Sequence, residues 1–93
     1  MIRRIRHKKL KLLYEKGEAS GFDARDIRRL RQILQRLDAA DRPEELDLPG
    51  LYLHRLRGNR KNTWAVTVRT NYRVTFRMDA EGQFIDVDYE DYH

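Results

Sequence analysis

Trp64-Ala65-Val66-Thr67-Val68-Arg69, Tyr72-Arg73-Val74-Thr75-Phe76-Arg77-Met78 and Phe84-Ile85-Asp86-Val87-Asp88-Tyr89 are the runs that decide the fold. Each alternates apolar with polar residues, the period of two that sends successive side chains to opposite faces of a β-sheet. The alternation predicts three strands followed by a short tail, Glu90-Asp91-Tyr92-His93. A dry face would carry Trp64, Val66, Val68, Val74, Phe76, Met78, Ile85, Val87 and Tyr89. A wet face would carry Thr67, Arg69, Arg73, Thr75, Arg77, Asp86 and Asp88. Keeping Val66 and Val68 on the face of Val74 and Phe76 requires an odd-numbered loop, placed at Thr70-Asn71-Tyr72, which sets Arg69 across from Arg73. The next turn, Asp79-Ala80-Glu81-Gly82, is even and lays Arg73 opposite Asp88. Like charges facing each other across a ladder are destabilising, so paired arginines on a wet face point to an anionic ligand.

Composition narrows the class of partner. Lys and Arg number 20 against 15 Asp and Glu, a net charge of +5, and the isoelectric point near 9.8 favours a polyanion. The 93 residues suffice for one modest core, so a single domain over 1–93 is expected. The charged start Met1-Ile2-Arg3-Arg4-Ile5-Arg6-His7 is followed by no long apolar run, which argues against a secretory leader, a membrane span or a membrane partner. Without cysteine, disulfides and thiolate metal sites are excluded and a cytoplasmic location is the default. No cofactor or metal is expected.

In chain order, Ile2 to Arg6 reads as a short extended segment. A helix is predicted from about Lys8 to Lys16, with Leu10, Leu13 and Tyr14 at helical spacing and Gly17 as its stop. His7 has no evident partner. A second helix starts near Asp23, a good N-cap, and runs to about Ala40, with Ile27, Leu30, Ile33, Leu34 and Leu37 as a stripe for the dry face. Arg25, Arg29 and Arg36 fall together on its far side. They read either as a solvated face or as a contact to a phosphate backbone. Asp41 to Gly50 is a connecting loop, with a turn of helix at Pro43 to Leu46. A further strand is expected at Leu51-Tyr52-Leu53-His54-Arg55-Leu56, with a bulge or early end near Arg55 and His54 on the charged face. Arg57 to Asn62 forms a basic loop. Helix, helix and then a meander is the order of an α+β domain with helices on one side of an antiparallel sheet. The uncovered side would present Arg57, Arg69, Arg73 and Arg77 beside His54, Asp86, Asp88 and the tail.

Leu51 to Gly58, the segment ending Asn71-Tyr72-Arg73-Val74-Thr75-Phe76, the opening His7 to Gly17 and the final Glu90-Asp91-Tyr92-His93 carry a family likeness. They resemble the HigB toxins of the RelE/ParE superfamily of bacterial toxin–antitoxin modules. The resemblance implies a RelE-like, microbial-RNase-like fold and a ribosome-dependent endoribonuclease, an mRNA interferase acting in the ribosomal A site. It further implies a HigA-like helix-turn-helix antitoxin, through which alone operator DNA would be bound. By matching position, His54, Arg73, Asp91, Tyr92 and His93 are the active-site candidates. Arg57 stands where lysine is frequent in the family, and Tyr72 where tryptophan is frequent.

These residues suit metal-independent RNA cleavage, in which the substrate's own 2′-hydroxyl attacks and leaves a 2′,3′-cyclic phosphate. Histidine is the side chain best poised for proton transfer near neutral pH. His54 and His93 would share the acid and base roles, Asp91 would assist, Arg73 would stabilise the transition-state charge, and Tyr92 would stack on a base. Arg57, Arg69, Arg77, Arg25, Arg29 and Arg36 are the RNA-binding candidates, with ion pairing to Asp86 or Asp88 the alternative for Arg69 and Arg77. Two further functions stay open on the residues alone: a ParE-like toxin that inhibits DNA gyrase, and a non-catalytic RNA-binding module.

Overall fold

Residues 1–91 are described in a computed structural model of the chain. Helix α1 spans Lys8–Lys16 and α2 spans Ala24–Ala39; strands β1 His54–Arg55, β2 Trp64–Arg69, β3 Tyr72–Met78 and β4 Phe84–Asp91 follow. Single turns of 3-10 helix occupy Pro43–Leu46 and Gly58–Arg60. The strands form one antiparallel sheet in the order β1-β2-β3-β4. Leu10 and Leu13 of α1 and Leu30, Ile33, Leu34 and Leu37 of α2 share a core with Val66, Val74, Phe76, Phe84 and Val87 of the sheet. The expected α+β arrangement is therefore present.

Local sequence explains the helix ends. Asp23 caps α2 by accepting from the Arg25 N–H at 2.9 Å. Gly17, at φ 69°, closes α1 in the left-handed conformation that a Cβ disfavours, and donates its N–H to the Leu13 carbonyl at 3.0 Å. His7, without a partner in the sequence reading, is the N-cap of α1. Its Nδ1 accepts from the Leu10 N–H at 3.2 Å, and its ring packs 5.9 Å from Phe22 and 5.6 Å from Tyr89. The extended segment Ile2 to Arg6 lies parallel to β4, with Ile2 beside Phe84 and Ile5 beside Val87. Backbone bonds from Arg3 N–H to the Phe84 carbonyl (2.8 Å) and from Arg6 N–H to the Val87 carbonyl (2.7 Å) close an edge that would otherwise be open.

The strands differ from expectation in three places. Only His54–Arg55 of the predicted run Leu51 to Leu56 is strand. Tyr52 takes φ 51° and breaks the extended course, although Leu51 stays buried and its carbonyl accepts from the Thr67 N–H at 2.7 Å. Between β2 and β3, Arg69 pairs with Tyr72 and Thr67 with Arg73, with an irregularity between Thr67 and Arg69. A bulge at Val68 thus supplies the odd residue that was assigned to the loop, and the turn shortens to Thr70-Asn71. Arg69 is not across from Arg73 as expected. The bulge turns it to the helix side, where its Nε and Nη2 donate to the two carboxylate oxygens of Asp26 at 2.8 and 3.0 Å. Asp26 is only 2 % exposed, and a carboxylate removed from water requires such a partner.

The third difference lies between β3 and β4, where the turn expected to be even holds five residues, Asp79 to Gln83, closed by the Asp79 N–H on the Gln83 carbonyl at 2.8 Å. Arg73 faces Glu90 and not Asp88, Thr75 faces Asp88, Arg77 faces Ile85 and Met78 faces Phe84. Asp86, at φ 51°, sits in the irregular step between Thr75 and Arg77 on the facing strand. Three positions therefore separate two inward side chains, Phe84 and Val87, both fully buried, while Ile85, expected in the dry face, is half-buried. Phe84→Ala should cost about 3–5 kcal/mol of stability, and Ile85→Ala far less, as read by urea denaturation. The opposite ranking would restore the unbulged register.

Candidate active site

The sheet's face away from the helices is organised in two adjacent rows. His54 pairs with Ala65, Ala65 with Thr75 and Thr75 with Asp88; the next row runs Thr67, Arg73, Glu90. Rows on one face are roughly 7 Å apart along the strands, and His54 lies two strand spacings, roughly 10 Å, from the β3 backbone. The loop bearing the turn Gly58–Arg60 folds over part of this face, so that Ala65 and Thr75 are buried. A polar cleft of about 260 Å³ remains, lined by Asn59, Arg60, Asn62, Arg77, Asp88 and Glu90 among others.

Glu90 is the hub of this face. Its Oε1 accepts from Nε and Nη2 of Arg73 at 3.2 and 3.0 Å and from Nη1 of Arg60 at 3.0 Å. Its Oε2 accepts from Nη2 of Arg60 and from the Thr75 hydroxyl at 3.0 Å. The Arg60 bonds, with those of Arg73 and Thr75, hold the Glu90 carboxyl down at about 2 against the opposing pull of burial. The same contact raises the Arg60 guanidinium above its ordinary value. A second guanidinium does stand close to Arg73, as the sequence suggested, but it is Arg60 and not Arg69, and a carboxylate lies between them.

His54 is exposed at the edge strand, and its Nδ1 lies 2.8 Å from the Tyr52 carbonyl. A carbonyl can only accept, so Nδ1 carries the proton and Nε2 is the basic nitrogen of the neutral ring. Tyr52 itself is a strained residue, at φ 51° and 74 % exposed. That unusual backbone angle goes together with the position of the carbonyl that orients His54.

The remaining candidates divide. Asp91 ends β4 and is exposed; Tyr92 and His93 lie outside the described residues. Arg57 is exposed at the start of the loop turn. Arg77 bonds Asp86 at 3.3 Å, and Arg69 is taken by Asp26 on the opposite face. Along α2, Arg25 pairs with Asp23 at 3.0 Å and Arg36 is exposed. Arg29 instead donates to the Gly50 carbonyl at 2.8 Å and tethers the connecting loop. Glu90 and Arg60 were not singled out from the sequence. Alternation does place Glu90 in step with Asp86 and Asp88, but only the longer turn and the bulge together bring it opposite Arg73.

Two helices on one side of a four-stranded antiparallel sheet are an architecture consistent with RelE-like toxins. The family model for the RelE-like toxin of the type II toxin–antitoxin system HigB matches residues 3–93, and the chain belongs to this HigB-like toxin family. It is 44% identical over 93 residues, covering 100% of both chains, to a Proteus vulgaris protein named Endoribonuclease HigB.

The depressed Glu90 carboxyl has a consequence for stability against pH. A carboxyl that titrates lower in the folded than in the unfolded state stabilises the fold above its unfolded value and loses that contribution as pH falls through its folded value. For Glu90 the window runs from about 4.5 down to about 2. Thermal midpoints of Glu90→Gln should therefore fall less steeply than wild type across that window. Parallel curves would mean that Glu90 is not held by its cations in solution.

Proposed function

We propose that this toxin is an endoribonuclease that cuts messenger RNA in the ribosomal A site and so inhibits translation. Similarity along the whole chain to the Proteus vulgaris endoribonuclease is the observation that carries the reading. It is supported by a face that bears the His54 imidazole, with Nε2 left as its basic nitrogen, and two guanidiniums, Arg73 and Arg60, bound to Glu90, of which Arg60 lines the cleft.

In this mechanism the neutral Nε2 of His54 removes the proton of the 2′-hydroxyl, whose oxygen attacks the adjacent phosphorus. The bond from phosphorus to the 5′-oxygen breaks, His93 protonates that oxygen with help from Asp91, and the products are a 2′,3′-cyclic phosphate and a 5′-hydroxyl. Arg73 stabilises the charge of the phosphorane, Tyr92 stacks on a base, and Arg57 steers the backbone. Each proton-transfer group contributes about 10²–10⁴-fold. No metal or cofactor takes part. The partners are messenger RNA, ribosomal RNA and a HigA-like helix-turn-helix antitoxin that couples the toxin to operator DNA, all in the cytoplasm. Among the described residues no helix is long and apolar enough to cross a membrane.

Primer extension on messages from expressing cells tests the reading. Discrete cuts within translated codons are expected; intact messages together with inhibited supercoiling would favour a gyrase inhibitor. His54→Ala, or removal of His93, should abolish both cutting and growth inhibition while antitoxin binding persists. Full toxicity of both variants would refute the assignment. The exposed cations of α2 give a second test, from which Arg29 is left out because it tethers the Gly50 loop. Arg25→Glu with Arg36→Glu should weaken co-sedimentation with ribosomes, most at low salt, and the difference from wild type should shrink as salt rises. Unchanged sedimentation would return that stripe to a solvated face.

A further inference from the structure

The Glu90 cluster does more than fasten a loop to a sheet. Its three charged members, Arg60, Arg73 and Glu90, sum to one net positive charge, two cations less one anion. The carboxylate binds the Nε and Nη2 edge of Arg73, which fixes the plane of its guanidinium, and binds Arg60 through both terminal nitrogens. The Thr75 hydroxyl, itself buried, fixes the carboxylate in turn. Without Glu90, two guanidiniums that converge on one point would repel each other, and a long arginine on a loop has many rotamers to occupy.

Resting on the nuclease reading, we infer that Glu90 is a positioning residue, which holds Arg60 and Arg73 as one paired cation, and that Arg60 is a second ligand of the substrate phosphate. The chain order supports this. Glu90 stands directly before Asp91-Tyr92-His93, so the carboxylate that orders the cations also anchors the strand from which the tail departs. A plain staple between loop and sheet would need neither a bidentate Arg60 nor two further bonds from the neighbouring Arg73.

The test uses full-length protein on ribosomes programmed with a defined message. It compares wild type with Glu90→Gln, Glu90→Ala, Arg60→Ala and the Arg60→Ala/Glu90→Ala double variant. Misplacement of a charge-stabilising group acts on the chemical step, so Glu90→Ala should lower kcat about 10- to 100-fold with KM little changed. Glu90→Gln, which keeps one acceptor oxygen, should fall between it and wild type. The double variant should be no slower than the worse single, because the residues act as a unit. Nitrogen-detected spectra of the arginine side chains supply a readout independent of activity: the Arg73 Nε–H signal should shift and exchange faster in Glu90→Gln. Wild-type kcat in both Glu90 variants, multiplied losses in the double variant, or a kcat defect that disappears on cooling as the fold recovers would each overturn the inference. A wild-type protein that leaves the message whole overturns the nuclease reading as well, whereas a cutting wild type matched by Glu90→Ala overturns only the inference.

Discussion

Two guanidiniums crowded onto one sheet face repel each other unless an anion lies between them, and Glu90 meets that condition for Arg60 and Arg73 together. The rest of the polar face follows from it. The loop at Gly58–Arg60 is drawn across the sheet by the Arg60 bonds, Thr75 is buried beneath, and a cleft is left beside them. On the other face a second pair obeys the same rule. Asp26, buried in the first turn of α2, takes Arg69 from the end of β2 and ties helix to sheet. Arg69 in turn lies 4.8 Å over the ring of Tyr72, which stacks on Tyr89. One guanidinium is thus tied to the helix layer while another, four residues on, is bound to Glu90 on the opposite face.

Both assignments depend on β-bulges. An extra residue in one strand reverses the facing of everything beyond it. The bulge at Val68 sends Arg69 inward to Asp26, and that at Asp86 lets Phe84 and Val87 both reach the core. The turn from Asp79 to Gln83 is one residue longer than expected and the second bulge adds one more, so the register advances by two and Glu90 comes to face Arg73. Two local irregularities therefore decide which face of the sheet each of these arginines serves.

Much of this was legible in the residues. Asp23 before α2, Gly17 after α1, the leucine stripe of α2 and the alternation of β2 and β3 each agree with the structure, because each is settled by neighbours in sequence. The motif around His54 and the family likeness named the site's candidates in the same way, by short runs of residues. What escaped are features set by distant neighbours. A bulge and a three-residue loop give the same parity, so alternation could not tell them apart. The burial of Asp26 depends on β2 packing over it, and the role of Glu90 depends on a loop some thirty residues earlier in the chain. His7, without a sequence partner, found one in its own helix and two more in Phe22 and Tyr89.

The account's central claim is that side chains on this face move protons to and from an RNA strand whose own 2′-hydroxyl makes the cut. The chemistry of the new ends tests it most directly. Mass spectrometry of fragments released from programmed ribosomes by the purified protein should find 2′,3′-cyclic phosphate on the upstream piece and a 5′-hydroxyl on the downstream piece. A 3′-hydroxyl with a 5′-phosphate would contradict it, since attack by water would then have replaced attack by the ribose.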